Sequence, residues 1–265
     1  MIFGKKSYLC LQTQDNQPTT MFSFFKKKVY LCDLLEDFHD VHSHLLWGVD
    51  DGAPRQDSTD RIAAELVNLG FSHVYLTPHI IYGCYGNQTP ETLKARFAEL
   101  APYEGLEYRL AAEYFLDEKF SQHLTEPNKM LTMADNHILV EYGLQVTRAE
   151  YLDMLFEASL AGLKIIIAHP ERYAFAFDGR NMHEIEKLTS KGYALQLNML
   201  SLLGKNGPKV KSIAEELLFK GKYTFLGSDT HSRLYTNTIK EGTISPKVAE
   251  AIKPLIANNK EILWK

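Results

Sequence analysis

From Phe38 onward, short runs of apolar or alternating residues are each followed by a longer stretch with helical ends. Seven runs are candidate strands: residues 38–42, 73–77, 108–112, 137–141, 164–168, 193–198 and 223–227. The fifth reads Lys-Ile-Ile-Ile-Ala, as a strand buried on both faces should. The stretches between carry helix punctuation. Residues 57–69 open with the capping types Asp57 and Ser58 and stop at Gly70. Residues 90–100 open on Pro90, whose missing N–H costs nothing in a first turn. Thr147 and Glu150 have the spacing of a capping box, and Gly162 ends that helix. Further helices cover residues 181–190, 208–219 and about 245–257. Strand–helix alternation predicts an α/β fold with a parallel sheet and crossover helices. Seven units suggest a closed or nearly closed barrel; an open, doubly wound sheet is the alternative.

The length of 265 residues suits one α/β barrel domain, and no internal repeat or linker divides it. Residues 1–37 are expected to be a partly disordered N-terminal extension, and residues 38–265 the barrel. Met21 is a second plausible start after Met1. Hydrophobic residues at 45% allow a full core. A formal net charge of -4 argues against nucleic-acid binding, which needs a surplus of Lys and Arg. No apolar run reaches the roughly 18 residues of a membrane span, so no direct membrane insertion is expected. Cys10, Cys32 and Cys84 are scattered, with neither a disulfide framework nor a metal knuckle, which fits a reducing cytoplasm.

The ionisable residues gather at the ends of the candidate strands. His42 and His44 close the first, two apart and so on one face, and Asp51 follows in the next loop. His79, Glu113, Glu141 and His169 close the second to fifth, and Asp229 and His231 the seventh. Active sites of α/β barrels are built from such ends. Nine imidazole and carboxylate side chains without thiolate suit Zn, Mn or Fe, and they are enough for two or three ions bridged by carboxylates. A lone strand-end His is usually structural; the repetition at one end is what points to metal. His39, His73, His123, His137 and His183 fall outside the pattern and read as structural or surface residues. Asp40 either orients a ligand imidazole or makes a strand-end hydrogen bond, and Asp50 reads as turn chemistry beside Gly52. Arg172 is placed to grip a phosphoryl group, or else to pair with Glu171; Arg55 and Arg233 are weaker candidates of the same kind. The Tyr-rich stretch 81–85 either walls an aromatic pocket or packs as a loop. Six residues beyond the cysteines lie Asn16, Phe38 and Pro90, so no cysteine phosphatase loop exists. H-E-x-x-H, G-x-S-x-G and Walker motifs are absent too.

Asp40-Val-His-Ser-His44, Asp50-Asp-Gly52, Thr77-Pro-His79, Glu113, Glu141, Ala168-His-Pro-Glu-Arg-Tyr173 and Ser228-Asp-Thr-His231 together resemble the motifs of the PHP (polymerase and histidinol phosphatase) superfamily. Their order and spacing are nearest its bacterial protein-tyrosine phosphatase branch, associated with capsular and exopolysaccharide synthesis. The resemblance covers roughly residue 38 to the C-terminus. It implies a distorted (β/α)7 TIM-like barrel with two to three divalent ions, Mn foremost and Fe or Zn as alternatives. By carry-over, one ion takes His42, His44, Glu113 and Asp229. A second shares Glu113 and adds Glu141 and His169. A third takes Asp51, His79 and His231. Histidinol phosphatases commonly have His where Asp51 and Glu141 stand. Trp47 departs from many relatives, which have a smaller residue or Pro there, and the segment after His231 is less family-like.

The implied activity is metal-dependent hydrolysis of phosphotyrosine, with Asp229 or His231 managing protons and Arg172 holding phosphate. The implied substrate is the tyrosine-rich tail of a membrane-associated bacterial tyrosine kinase that controls polysaccharide export. The competing expectations are a small-molecule phosphatase, such as a histidinol-phosphate hydrolase, and a non-catalytic metal-binding regulator.

Overall fold

In the computed structural model, residues 28–143, 147–173 and 181–265 are described. The segments 1–27, which include Met21 and Cys10, lie outside them. The strands are β1 (Val29–Tyr30), β2 (Phe38–Asp40), β3 (Phe71–Leu76), β4 (His79–Ile80), β5 (Glu107–Leu110), β6 (Glu113–Leu116), β7 (His137–Tyr142), β8 (Lys164–Ala168), β9 (Ala194–Asn198), β10 (Phe225–Gly227) and β11 (Thr243–Ile244). The helices are α1 (Gln56–Asn68), α2 (Pro90–Ala98), α3 (Phe120–His123), α4 (Arg148–Leu160), α5 (Asn181–Ser190), α6 (Met199–Leu202), α7 (Pro208–Phe219), α8 (Arg233–Glu241) and α9 (Pro246–Leu263).

One parallel sheet runs β10-β9-β8-β7-β6-β4 and a second runs β2-β3-β5. Two of the seven expected strands, 73–77 and 108–112, end slightly early and are each followed by a further strand segment. Thr77-Pro78 divides β3 from β4, because proline has no N–H for the ladder. Ala111-Ala112 divides β5 from β6. His79 and Glu113 therefore open new strands rather than closing old ones. Backbone bonds span the breaks: Ala111 N–H donates to Leu76 O and Glu113 N–H to Pro78 O. On the other side, Ser43 bridges Thr230, and Asp229 N–H donates to His42 O. The β3–β5 pairing thus continues into the β4–β6 pairing, and β2 meets the segment after β10, an arrangement of parallel strands in keeping with the α/β fold expected.

Val41, Tyr75, Ala111, Leu139, Ile166, Ala168 and Phe225 form an inner cluster, small residues beside large ones. A larger cluster lies between the strands and the helices outside. Most of the expected helices stand within a few residues of their places, and the Thr147–Glu150 capping box is formed. The cap of α1 differs: Arg55 is the N-cap, with no side-chain bond, and Asp57 lies inside the helix.

α9 continues past the expected end near 257, through Pro254, to Leu263. Asn259 holds that part: its amide donates to His39 O and Leu226 O and accepts from Leu226 N–H. Leu263 and Trp264 then close the lower end of the inner cluster. α8 was not expected from the sequence; its N-cap residue is Ser232, which makes no side-chain capping bond. The ordered fold also starts ahead of residue 38. β1 pairs antiparallel with β11, and Leu31 and Leu35 are fully buried in the core.

Candidate metal centre

The nine expected donors meet at one end of the parallel strands, His79 and Glu113 from the junctions after β3 and β5. Glu113 is at the centre and almost fully buried. Its Oε1 lies 3.1 Å from His169 Nε2. Its Oε2 lies 3.1 Å from His79 Nδ1, 3.2 Å from His42 Nε2 and 3.4 Å from His44 Nε2. Asp229 Oδ1 faces His42, His44 and His231 at 3.3–3.5 Å. Asp51 Oδ1 lies 3.5 Å from His231 Nε2 and 3.6 Å from His79 Nε2. Glu141 stands 3.8 Å from His169 and 4.0 Å from His79.

At this end, four groups among the described residues have ligand atoms within 4.8 Å of one another: His42–His44–Glu113, His42–His169–Asp229, His79–Glu113–Glu141 and His44–Asp51–His79–His231. These groups overlap the carried-over ligand sets without matching them one for one. His44 also joins the Asp51 group, and His79 the Glu141 group. Two donors, His169 and Asp229, sit in left-handed backbone (φ 32 and 54), a conformation that costs energy and concentrates at functional sites. Gly52 is demanded by close approach: a Cβ there would sit 1.9 Å from His44 O.

Burial alone would discharge every one of these groups. It is opposed for Glu113 by His42 and His79, which hold its pKa well below the carboxylate range. For Asp229 burial is likewise overcome, by His42 first, and its pKa is lowered. Glu113 and Asp229 outweigh burial at His42 and push it up to about 9. Burial and the Glu113 charge raise Glu141 to about 8. Burial, with Arg172 nearby, drops His169 to about 4. Glu113 Oε2 and His79 Nδ1 are buried and make no hydrogen bond despite their closeness. Packed imidazoles and carboxylates with lone pairs unused are what divalent cations would satisfy, and oxygen and nitrogen donors without thiolate fit Mn, Fe or Zn.

The chain matches the family described as capsular polysaccharide synthesis, CpsB/CapC, over residues 38–254. It belongs to that family. It is 26% identical over 204 residues to the tyrosine-protein phosphatase YwqE of Bacillus subtilis, covering 73% of this chain and 77% of that protein. It is 24% identical over 205 residues to the tyrosine-protein phosphatase CpsB of Streptococcus pneumoniae, covering 73% and 82%. A crystal structure from that pair, described as unique metal-dependent tyrosine phosphatases, aligns with a TM-score of 0.66 at 25% identity, over 85% of this chain and 94% of that one. The resemblance read from the motifs is thereby borne out at the level of the CpsB/CapC family.

For several supporting residues the structure chooses between the alternatives left open by the sequence, or adds contacts it did not show. Asp50 does more than shape a turn: Oδ2 lies 2.7 Å from His44 Nδ1 and accepts from His79 N–H, while Oδ1 accepts from Gly52 N–H. Asp40 touches no imidazole; it accepts from Ser228 N–H and O–H, fixing the strand end that leads to Asp229. Arg172 does not pair with Glu171. Its Nη1 donates to Asp229 Oδ2 at 2.8 Å. Glu171 is buried and accepts from Asn198 N–H and Tyr223 O–H. Arg55 pairs with Asp57 and Arg233 with Glu65, both largely exposed. Gln196 Oε1 lies 3.0 Å from His42 Nδ1, and Asn198 Nδ2 donates to Asp229 Oδ2. The signal for these two was visible: polar residues two apart in an otherwise apolar strand share a face.

The Tyr-rich stretch is at the rim. Tyr85 stacks on His79 at 5.8 Å between ring centroids, and Tyr82 and Tyr85 are exposed. A cavity of about 510 Å³ opens beside Asp51 and His231, lined also by Arg61, Arg233 and Tyr235. No helix among the described residues is long and apolar enough to cross a membrane.

Proposed function

We propose that this chain is a metal-dependent protein-tyrosine phosphatase. The observation that carries the reading is the convergence of nine imidazole and carboxylate donors on one strand-end mouth, with Arg172 bonded to one of them. Relatives in the same family are named tyrosine-protein phosphatases, and the aligned crystal structure is described as metal-dependent. The proposed ligands are His42, His44, Asp51, His79, Glu113, Glu141, His169, Asp229 and His231. They would hold two to three divalent ions, with Mn the preferred occupant.

Bound ions would supply Lewis acidity and make water a nucleophile near neutral pH. The protein's own groups do the rest. Asp229 carries the Arg172 guanidinium to the mouth, and Arg172 keeps further N–H donors beyond that bond for phosphoryl oxygens. Asp229 is held ionised, so it has no proton to give. His231 Nδ1 lies 2.8 Å from the Asp229 carbonyl. Donation there leaves the Nε2 lone pair for a metal or a proton. Neither group need act as an acid, because a tyrosine phenolate (pKa ~10) is a tolerable leaving group. Tyr82 and Tyr85 at the rim suit an aromatic ester. The proposed partner is the tyrosine-rich tail of a membrane-associated bacterial tyrosine kinase.

The test is turnover of p-nitrophenyl phosphate, a phosphotyrosine peptide and histidinol phosphate, with Mn or EDTA, for wild type and His42→Ala. Activity on the aryl esters that needs both metal and His42 is expected. Preference for histidinol phosphate would move the chain to small-molecule phosphatases. A fully metallated protein inactive on all three would make it a binding regulator.

A further inference from the structure

The end of the barrel opposite the mouth holds a second constellation. His39 lies on β2, and strand geometry puts it roughly 10 Å below His42. The parallel register sets His39 beside His73 on β3, and His73 beside Glu107 on β5. The two imidazoles stack at 3.8 Å, and Asp37 Oδ1 stands 3.5 Å from His39 Nε2. Trp264 packs edge-on against both rings.

His39 is the informative residue. It is 5% exposed, yet neither ring nitrogen has a hydrogen-bond partner. Nδ1 meets nothing and Nε2 has only the long approach of Asp37 Oδ1 at 3.5 Å, which is costly in the interior, since buried polar groups are nearly always satisfied. An interior chosen only for packing would hold an apolar ring there. Burial first, then His73, keeps the His39 imidazole neutral, so a lone pair is available. Asp37, His39 and His73 can offer ligand atoms within 4.8 Å of one another. A tetrahedral ion with bonds of about 2.0–2.2 Å sets its donors roughly 3.4 Å apart, so the two stacked rings would turn and close in on binding. His73 and Asp37 are already tethered by Ser72, whose hydroxyl contacts His73 Nδ1 at 2.8 Å and donates to Asp37 Oδ1 at 2.6 Å. Glu107 Oε2 is 3.5 Å from His73 Nε2, placed to orient that ring or to act as a further ligand. Lys260 of α9 holds the other Asp37 oxygen, tying the group to the helix that closes the barrel floor.

We propose that Asp37, His39 and His73 form a second transition-metal site at the barrel floor, separate from the mouth, taking Zn²⁺ or an ion of similar preference. Two imidazoles, one carboxylate and an open position for water make up its coordination. Its role is structural: it would clamp β2 to β3 beneath Trp264.

The test is metal content and calorimetric Zn²⁺ titration of the full chain after chelation, for wild type, His73→Phe and Asp37→Asn. His73→Phe keeps a stacked ring and removes the nitrogens. Each variant should bind about one equivalent less than wild type. Each should keep wild-type p-nitrophenyl phosphate turnover with Mn, and its melting temperature should gain less from Zn²⁺. Equal stoichiometry in wild type and both variants overturns the proposal. So does loss of turnover in parallel with loss of the equivalent, because that would place the missing ion at the mouth.

Discussion

Asp50 Oδ2 lies 2.7 Å from His44 Nδ1, with both side chains buried. The contact fixes the ring so that Nε2 faces Glu113 and Asp229. A carboxylate behind a ligand imidazole raises its basicity and locks its tautomer. Asp50→Asn should therefore weaken divalent-metal affinity about 10- to 100-fold. Turnover would fall at limiting Mn and recover at saturating Mn. An unchanged Mn titration would reduce Asp50 to the turn residue that its sequence context suggested.

Arg172 is bonded to the donor cluster through Asp229. If it also holds phosphoryl oxygens, Arg172→Ala should lower kcat on aryl phosphates by about 100-fold while metal content stays at the wild-type level. Arg172→Lys should restore only part of that, because a point charge does not reproduce the planar fork. Metal loss in Arg172→Ala would show instead that its chief task is to hold Asp229 in place.

Stability without metal should depend on pH through Glu141. Its folded pKa is about 8, raised by burial and by Glu113. A free glutamate titrates near ~4.3. Between these values the folded chain holds a proton that the unfolded chain has lost. That stability is present at low pH and is lost as pH rises through about 8. His42, raised to about 9, adds to the same slope. His169, lowered to about 4, acts on the acid side, where stability falls as pH drops below its unfolded value. Melting of the metal-stripped protein should be lower near pH ~9 than near ~7, and Glu141→Gln should shrink that difference. A difference as large in the variant would remove Glu141 from the account.

The thiols should be dispensable. Cys32 is half-buried against the Lys240 carbonyl, and Cys84 is exposed on the rim loop beside Tyr85. Replacing Cys10, Cys32 and Cys84 with Ser together should leave turnover within about twofold of wild type, since the proposed chemistry forms no covalent enzyme intermediate. A loss with metals still bound would point to a thiolate mechanism.

The alternation of strands and helices, and the gathering of nine ligand-type side chains at one end, were legible in the sequence because both rest on local signals. Apolar runs, caps and glycine stops mark units such as 164–168 and Thr147–Glu150. Ligand-type residues placed at the end of one unit after another stand out against a chain that would otherwise scatter them. What folding alone decided were contacts between residues far apart in the chain. Whether Arg172 meets neighbouring Glu171 or Asp229, 57 positions away, depends on how two strand ends face each other. Whether Asp50 only bends a loop depends on where His44 stands when the loop closes over Gly52. The course of α9 through Pro254 depends on Asn259 finding backbone partners on β2 and β10. Local propensity carries no information about such partners, because their energy appears only once the barrel has brought them together.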